Sequence, residues 1–196
     1  MSAFDVVARR AEWASEVASA LAGADASRLV FLDESGANVD MCRRHGRARG
    51  GARCVASVPC GTPASTTVVS SVRLSGETAW ATWRGGTTSE RFLGWLGGTL
   101  LPTLSPGDVV VMDNMATHHA KGVRQKIEEA GCKVLYLPPY SPDLNPIEKM
   151  WSKVKAALRA AGARSLEGLA EAIEAAIAAV RPSDCEGWFR SCGYSW

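Results

Sequence analysis

Apolar residues between positions 5 and 22 (DVVARRAEWASEVASALA) recur near helical spacing, with Val6, Ala14, Val17, Ala18 and Leu21 on one stripe and Gly23 ending the run. This predicts an N-terminal helix. Residues 29–33 (LVFLD) are almost wholly apolar and finish on an acid, the pattern of a strand buried on both faces. Two β-rich runs, TTVVSSVRL (66–74) and TAWATW (78–83), flank the turn signal Ser75-Gly76 and predict a hairpin. Paired in order, these runs give three antiparallel strands. Phe92, Leu93, Leu96, Leu100 and Leu101 then step by threes and fours, predicting one helix over 88–104 that Pro106-Gly107 closes.

From there the pattern alternates. A strand (DVVVMDN, 108–114) precedes a helix within 119–130 that ends at Gly131. A second strand (KVLYLP, 133–138) precedes a helix from Pro146 to about Ala161. Strands alternating with helices imply parallel pairing through crossover helices. Helices over 166–180 and after Pro182 complete the chain. The order β-β-β-α-β-α-β-α is that of the ribonuclease-H-like fold: α/β, with a mixed sheet of three antiparallel then parallel strands and helices on both faces.

Composition narrows the function classes. At 196 residues, 46% hydrophobic and 21% charged, the chain can bury a substantial core. Its longest apolar runs, 29–32 and 109–112, fall far short of the roughly 20 residues that span a bilayer. No signal-peptide pattern opens the sequence, so a cytoplasmic protein with no membrane partner is expected. Six cysteines in that setting read as reduced thiols, and none forms a CxxC pair. The spacings of Cys42, His45, Cys54 and Cys60 fit no standard zinc pattern. The net charge of +2 says little, but residues 42–53 (CRRHGRARGGAR) hold five arginines and no acid. Such a strip is either a solvated loop or a contact for a phosphate backbone.

Three acids occupy comparable positions: Asp33 and Asp113 at the C-terminal ends of the first and fourth strands, and Glu148 in the first turn of a helix. Adjacent strands could bring the aspartates together, whereas Glu34 points to the opposite face from Asp33. Clustered carboxylates repel one another and need a cation, and oxygen donors suit Mg²⁺ or Mn²⁺. Two such ions about 3.5–4 Å apart can assist both the attacking and the leaving oxygen of a phosphodiester. A plainer reading stands beside this one. Strand-end aspartates are often turn or cap residues, and Glu148 falls at the third helical position after Asn145-Pro146, where a capping-box glutamate belongs.

The segments FLDESGAN (31–38), VVVMDNMATHH (109–119) and LPPYSPDLNPIEKMWSKVK (137–155) resemble the three acidic motifs of transposases in the mariner-type superfamily, specifically its bacterial insertion-sequence branch. Thirty-four residues separate Asp113 from Glu148, an interval common in that branch. The tail RPSDCEGWFRSCGY resembles the family's C-terminus as well. The resemblance implies that Asp33, Asp113 and Glu148 hold two Mg²⁺ ions, replaceable by Mn²⁺, for DNA cleavage at transposon ends and strand transfer into target DNA. It implies DNA as partner, a homodimer on that DNA, and a place in the bacterial cytoplasm at the nucleoid. It also implies a division into an N-terminal helical linker (1–28), the catalytic domain (29–162) and a packed helical extension (163–196). Family members carry helix-turn-helix domains before the catalytic one, for which residues upstream of 29 leave no room. The chain is therefore expected to be either a catalytic fragment or the second reading frame of an element whose first frame encodes a separate DNA-binding subunit. The alternatives are a nuclease of this fold that only hydrolyses, and an inactive DNA-binding or assembly module.

An acidic site repels DNA and needs basic neighbours, which favours phosphate contact for Arg43, Arg44, Arg47, Arg49 and Arg53. The resemblance puts that strip on a hairpin inserted between the first two strands. The helix after Asn145 has Lys149, Lys153, Lys155 and Arg159 on its polar side, with Lys149 and Lys153 as further DNA contacts. Asp143 reads as a turn residue, and Asn114 could orient DNA. Of the adjacent His118 and His119, at most one can face the site. Trp80, Trp83 and Trp95 fit core positions.

Overall fold

Hydrophobic residues on both faces of one central strand organise the molecule. The structure, a computed structural model, describes residues 3–55, 57–61, 63 and 65–194. The side chain of Val6 lies outside the described set. Strand β1 (Leu29–Ala37) pairs antiparallel with β2 (Thr66–Arg73), which pairs antiparallel with β3 (Trp80–Arg84). On its other side β1 pairs in parallel with β4 (Val109–Met112), and β4 with β5 (Lys133–Tyr136), giving the order β3-β2-β1-β4-β5. The mixed sheet read from the sequence is therefore present, strand for strand.

Alternation along the strands sends side chains to two cores. Leu29, Phe31, Val68, Val72, Val109 and Val111 face one layer of helices: α1 (Ala3–Leu21), α4 (Pro146–Ala161), α5 (Leu166–Ala178) and α6 (Pro182–Ser191). Val30, Leu32, Val69, Val110 and Met112 face the other, built from α2 (Ser89–Trp95) and α3 (Val123–Glu129). In the first core Phe31 meets Phe189 edge-on at 5.3 Å between ring centroids, a geometry worth about 1 kcal/mol beyond area burial. Away from the carboxylates, buried Asp108 accepts from Arg73 Nη2 and from the Ser105 amide, each at 2.8 Å, with Arg28 at 3.4 Å. That cluster ties the entry of β4 to β2 and β1.

Three expectations change. The helix predicted over 88–104 is Thr88-capped α2 followed by a π-helical turn (Leu96–Leu100) and a 3-10 turn (Leu101–Thr103). Gly94, Gly97 and Gly98 hold an α-helix poorly, and the widened turn still buries Trp95, Leu96 and Leu100. The arginine strip forms no hairpin: among the described residues from 38 to 65 there is no strand, only a 3-10 turn at Arg49–Gly51. Helix α1 is more than a connection, since Trp13, Val17 and Leu21 lie within the first core. Among the described residues no helix is long and apolar enough to cross a membrane.

Candidate active site

Asp33 sits inside β1, which continues four residues beyond it against β2. The parallel pairing of β1 with β4 runs only from Leu29↔Val109 to Phe31↔Val111. Two residues further along the same register, Asp33 comes level with Asp113, the first residue after β4. The sheet opens where β4 stops, and the two aspartates flank that opening.

The turn after β4 fixes Asp113. Its Oδ1 accepts from the Met115 amide at 2.9 Å and lies 2.7 Å from His118 Nδ1. Burial works against the Asp113 carboxylate, but these partners outweigh it and hold its pKa below the ordinary value. His118 is fully buried, packs on Phe92 at 4.8 Å between ring centroids, and has its Nε2 3.9 Å from Glu34 Oε1. Burial disfavours the imidazolium, yet the hydrogen bond to Asp113 and the nearby charge of Glu34 raise the His118 pKa overall. Thr87 donates to Glu34 Oε2 at 2.5 Å. Glu34 thus faces away from Asp33, as the strand period requires, and supports Asp113 indirectly through His118. His119 turns outward and stacks on Tyr136, 4.1 Å between centroids. The Asn114 amide is committed to Leu137 O at 2.7 Å.

Glu148 enters from α4. The expected capping box does not form: Asn145 N–H donates to Pro142 O at 3.1 Å, and no side chain caps the helix. A 3-10 turn (Pro142–Leu144) already satisfies that amide, leaving the exposed Glu148 carboxylate without a hydrogen bond or ion pair among the described residues. The turn is held from both ends of the chain. Arg10 of α1 donates to both oxygens of Asp143, at 2.9 and 2.6 Å. Tyr194 donates to Leu144 O at 2.7 Å while accepting from Trp13 Nε1 at 2.8 Å. Asp143 is thereby a structural anion, as its turn context suggested.

Asp113, Glu148 and the loop between them line a cleft of about 550 Å³, together with Met115, Leu137, Pro139 and Tyr140. Asp33 does not line this cleft; it is 7% exposed, its Oδ2 accepting from Trp151 Nε1 at 3.2 Å. Burial first, then the charges of Asp113 and Glu148, push the Asp33 carboxyl up to about 7, against the pull of the Glu34 amide and His118. The charges of Asp113 and Glu148 both act on Asp33, and an all-oxygen donor set is the kind that fits Mg²⁺ or Mn²⁺. Among the described residues no three such side chains stand close enough to hold an ion together. Trp151 was not singled out as a site residue in the sequence, where its helical spacing identifies only a core position.

The basic residues divide. Arg43, Arg47, Arg49 and Arg53 are exposed on the loop after β1 and form no ion pair among the described residues. Arg44 lines a second cleft of about 380 Å³ with Asn38, Asp40, Lys155 and Arg159. Glu148, Ser152, Lys155 and Arg159 follow the i, i+4, i+7, i+11 stripe of α4, so this cleft lies on the same helix face, roughly 10–17 Å along the axis. Lys149 is half-buried, its charge acting on Asp143 and Cys192. Lys153, expected as a DNA contact, is engaged within the fold: its ammonium donates to Ala179 O at 2.8 Å and pairs with Asp184, the carboxylate that accepts from the Arg181 amide just before α6. No metal-holding cluster of cysteine and histidine exists among the described residues, and the six cysteines are free.

Comparison with known proteins was consistent with this geometry. Residues 28–170 match the model of a family described as DDE superfamily endonuclease. No curated protein sequence matches the chain. Among solved structures, the mariner Mos1 paired-end complex with Mg superposes with a TM-score of 0.72 at 20% identity, covering 100% of this chain and 60% of that one. The Mos1 transposase paired-end complex with left transposon end gives 0.71 at 18% identity, over 100% and 60%. The catalytic domain of Mos1 mariner transposase gives 0.67 at 16%, over 100% and 90%. These likenesses establish the ribonuclease-H-like fold, and the chain spans about 60% of the length of the Mos1 chains in the paired-end complexes.

Proposed function

The chain belongs to the DDE superfamily endonucleases, and from that premise we propose that it is the catalytic domain of a transposase, cleaving DNA at transposon ends and joining the freed end to target DNA. The observation that carries this reading is that the charges of Asp113, at the end of β4, and Glu148, at the start of α4, both act on buried Asp33 in β1. Asp33, Asp113 and Glu148 would hold two Mg²⁺ ions, with Mn²⁺ able to substitute. When bound, such ions supply Lewis acidity at the phosphodiester and stabilise charge on its leaving oxygen. The chain's own residues orient the ligands. Trp151 engages one oxygen of Asp33, while Met115 and His118 engage Oδ1 of Asp113 and leave its Oδ2 without a hydrogen bond among the described residues.

The thirty-four residues between Asp113 and Glu148 support assignment to the bacterial insertion-sequence branch. That assignment carries with it action at the nucleoid and a homodimer bridging two transposon ends. Residues 29–162 would be the catalytic unit, braced by α1 and by the extension from 163 to 196.

The test is Mg²⁺-dependent nicking of end-labelled duplex by the wild type and by Asp33→Asn, Asp113→Asn and Glu148→Gln. Each variant should keep its fold and lose cleavage, and a labelled 3′ end should appear joined to target DNA. Cleavage retained by any of the three would overturn the triad. Cleavage without joining would leave a nuclease that only hydrolyses.

A further inference from the structure

Three cations line one space with no anion to hold them there. Arg44, on the loop after β1, shares the second cleft of about 380 Å³ with Lys155 and Arg159, which stand one turn apart on α4. None of the three forms an ion pair or a hydrogen bond among the described residues. Asp40 also lines the cleft but pairs with none of them, so the space keeps an excess of positive charge. Gathered like charges repel one another, and a concave space of one sign concentrates the opposite ion.

The two walls are tied together by the fold. Arg164 follows the left-handed Gly162 that ends α4, and its Nη1 donates to Val39 O at 3.0 Å, Met41 O at 3.1 Å and Ala163 O at 3.0 Å. One charged group thereby binds the chain leaving β1 to the C-terminal end of α4, with bonds stronger than neutral ones. Val39 and Met41 pack from the same segment against the first core. Asn38, which heads that segment and lines the cleft, has its Oδ1 buried without a hydrogen-bond partner among the described residues. Water carried in with an anion would supply the missing donor.

From this we infer that the second cleft is a phosphate site for the DNA backbone, with one phosphodiester seated among Arg44, Lys155 and Arg159 and with Arg164 as the latch that holds the walls in place. The inference rests on the function proposed above for its ligand, and adds a point at which that DNA is held. The site lies on the Glu148 face of α4, roughly 10–17 Å from that residue along the axis. Cations at a fixed distance from carboxylates that repel phosphate lay the backbone across the acidic centre without asking that centre for affinity. Arg164 is a positioning residue, since its own charge is spent on carbonyls.

The experiment measures affinity for a mixed-sequence duplex in EDTA, where cleavage cannot occur, over a series of salt concentrations. Arg44→Ala, Lys155→Ala and Arg159→Ala combined should lower the slope of log K against log salt by about 0.9, the value for one phosphate, and not by the roughly 2.7 of three separate contacts. Arg164→Met should lower the slope equally although all three cations remain, a change that lost stability alone does not produce. An unchanged slope in either variant, or a fall of about 2.7 in the first, overturns the inference. Cys42, a free thiol lining the cleft, gives a readout with every basic residue intact. With exposed Cys54 and Cys60 replaced by serine, saturating duplex should slow alkylation of Cys42 by iodoacetamide several-fold, and inorganic phosphate at the same phosphate concentration should not. Alkylation at an unaltered rate with duplex overturns the inference, and equal protection by inorganic phosphate overturns the DNA backbone as its ligand. Nicking and joining, assayed separately with Mg²⁺, report on the proposed function independently of this result.

Discussion

The indole of Trp151 donates to Asp33 Oδ2 at 3.2 Å, linking the buried core of α4 to the carboxylate in the middle of the sheet. Both partners are buried, so the bond is shielded from water and fixes one carboxylate oxygen. Phenylalanine at 151 would keep the packing and remove the donor. A lost partner behind a metal-holding carboxylate typically costs about 10–100-fold in metal affinity or activity. We expect Trp151→Phe to need more Mg²⁺ for half-maximal nicking, with a melting temperature little changed. An unaltered Mg²⁺ requirement would assign the indole to packing alone.

Asp33 carries a stability cost that grows with pH. Its carboxyl is raised in the folded protein from 3.8 to about 7, so its contribution is intact below about pH 4 and lost as pH rises through 7. At pH 8 the ionised group costs at most roughly 4 kcal/mol, three pKa units at about 1.4 kcal/mol each. Asp33→Asn keeps an acceptor for Trp151 without the charge. The metal-free variant should melt above wild type at pH 8, and that gap should shrink toward pH 5. A gap independent of pH would contradict the assigned cause.

The Asp108 cluster has the opposite sign. Burial works against its carboxylate, but Arg73, the Ser105 amide and Arg28 outweigh it and depress the pKa. Stability from this pair is therefore present above about pH 4 and is lost as pH falls through the depressed value. Arg73→Met strands a buried carboxylate and should cost about 3 kcal/mol at pH 7, read by urea unfolding. The variant should also lose less stability than wild type on acidification.

The second cleft predicts a division among the basic residues. Arg44, Lys155 and Arg159 face one space and have no ion pair among the described residues, whereas Lys153 is engaged with Asp184 and Ala179. Neutralising a DNA-contacting cation lowers the slope of log K against log salt by about 0.9 per phosphate released. Alanine at 44, 155 and 159 together should flatten that slope. Lys153→Ala should leave the slope in place and lower the melting temperature. The reverse pattern would return Lys153 to the DNA surface.

Periodicity sufficed for much of the fold because these strands and helices bury regular stripes. Thus α4 begins at Pro146 and ends at Ala161, where the sequence put it. The reading failed where tertiary contacts override local pattern. Asp33 marks the end of the apolar run but not of β1, since pairing with β2 carries the strand to Ala37. Glu148 has the spacing of a capping box, yet the turn before it consumes the amide first. Helical spacing marks Trp151 as core and cannot say that its N–H reaches another strand. The arginine strip announces charge, but nothing in it specifies a hairpin, and none forms among the described residues. Lys153 looks like any solvated lysine until α6 supplies Asp184.

Sequence-remote contacts also meet on the segment from 142 to 144. Arg10 grips Asp143 from one terminal helix, and Tyr194 holds Leu144 from the other end of the chain while bonded to Trp13. The turn is thus the keystone of an arch whose two piers lie 133 and 50 residues away in sequence. Disturbing either pier should slacken the same few amides, and hydrogen exchange at 144–148 in Arg10→Ala would register it. Through that arch, a load applied to α1 would be felt at the start of α4, beside Glu148, as well as through the core that α1 shares with the sheet.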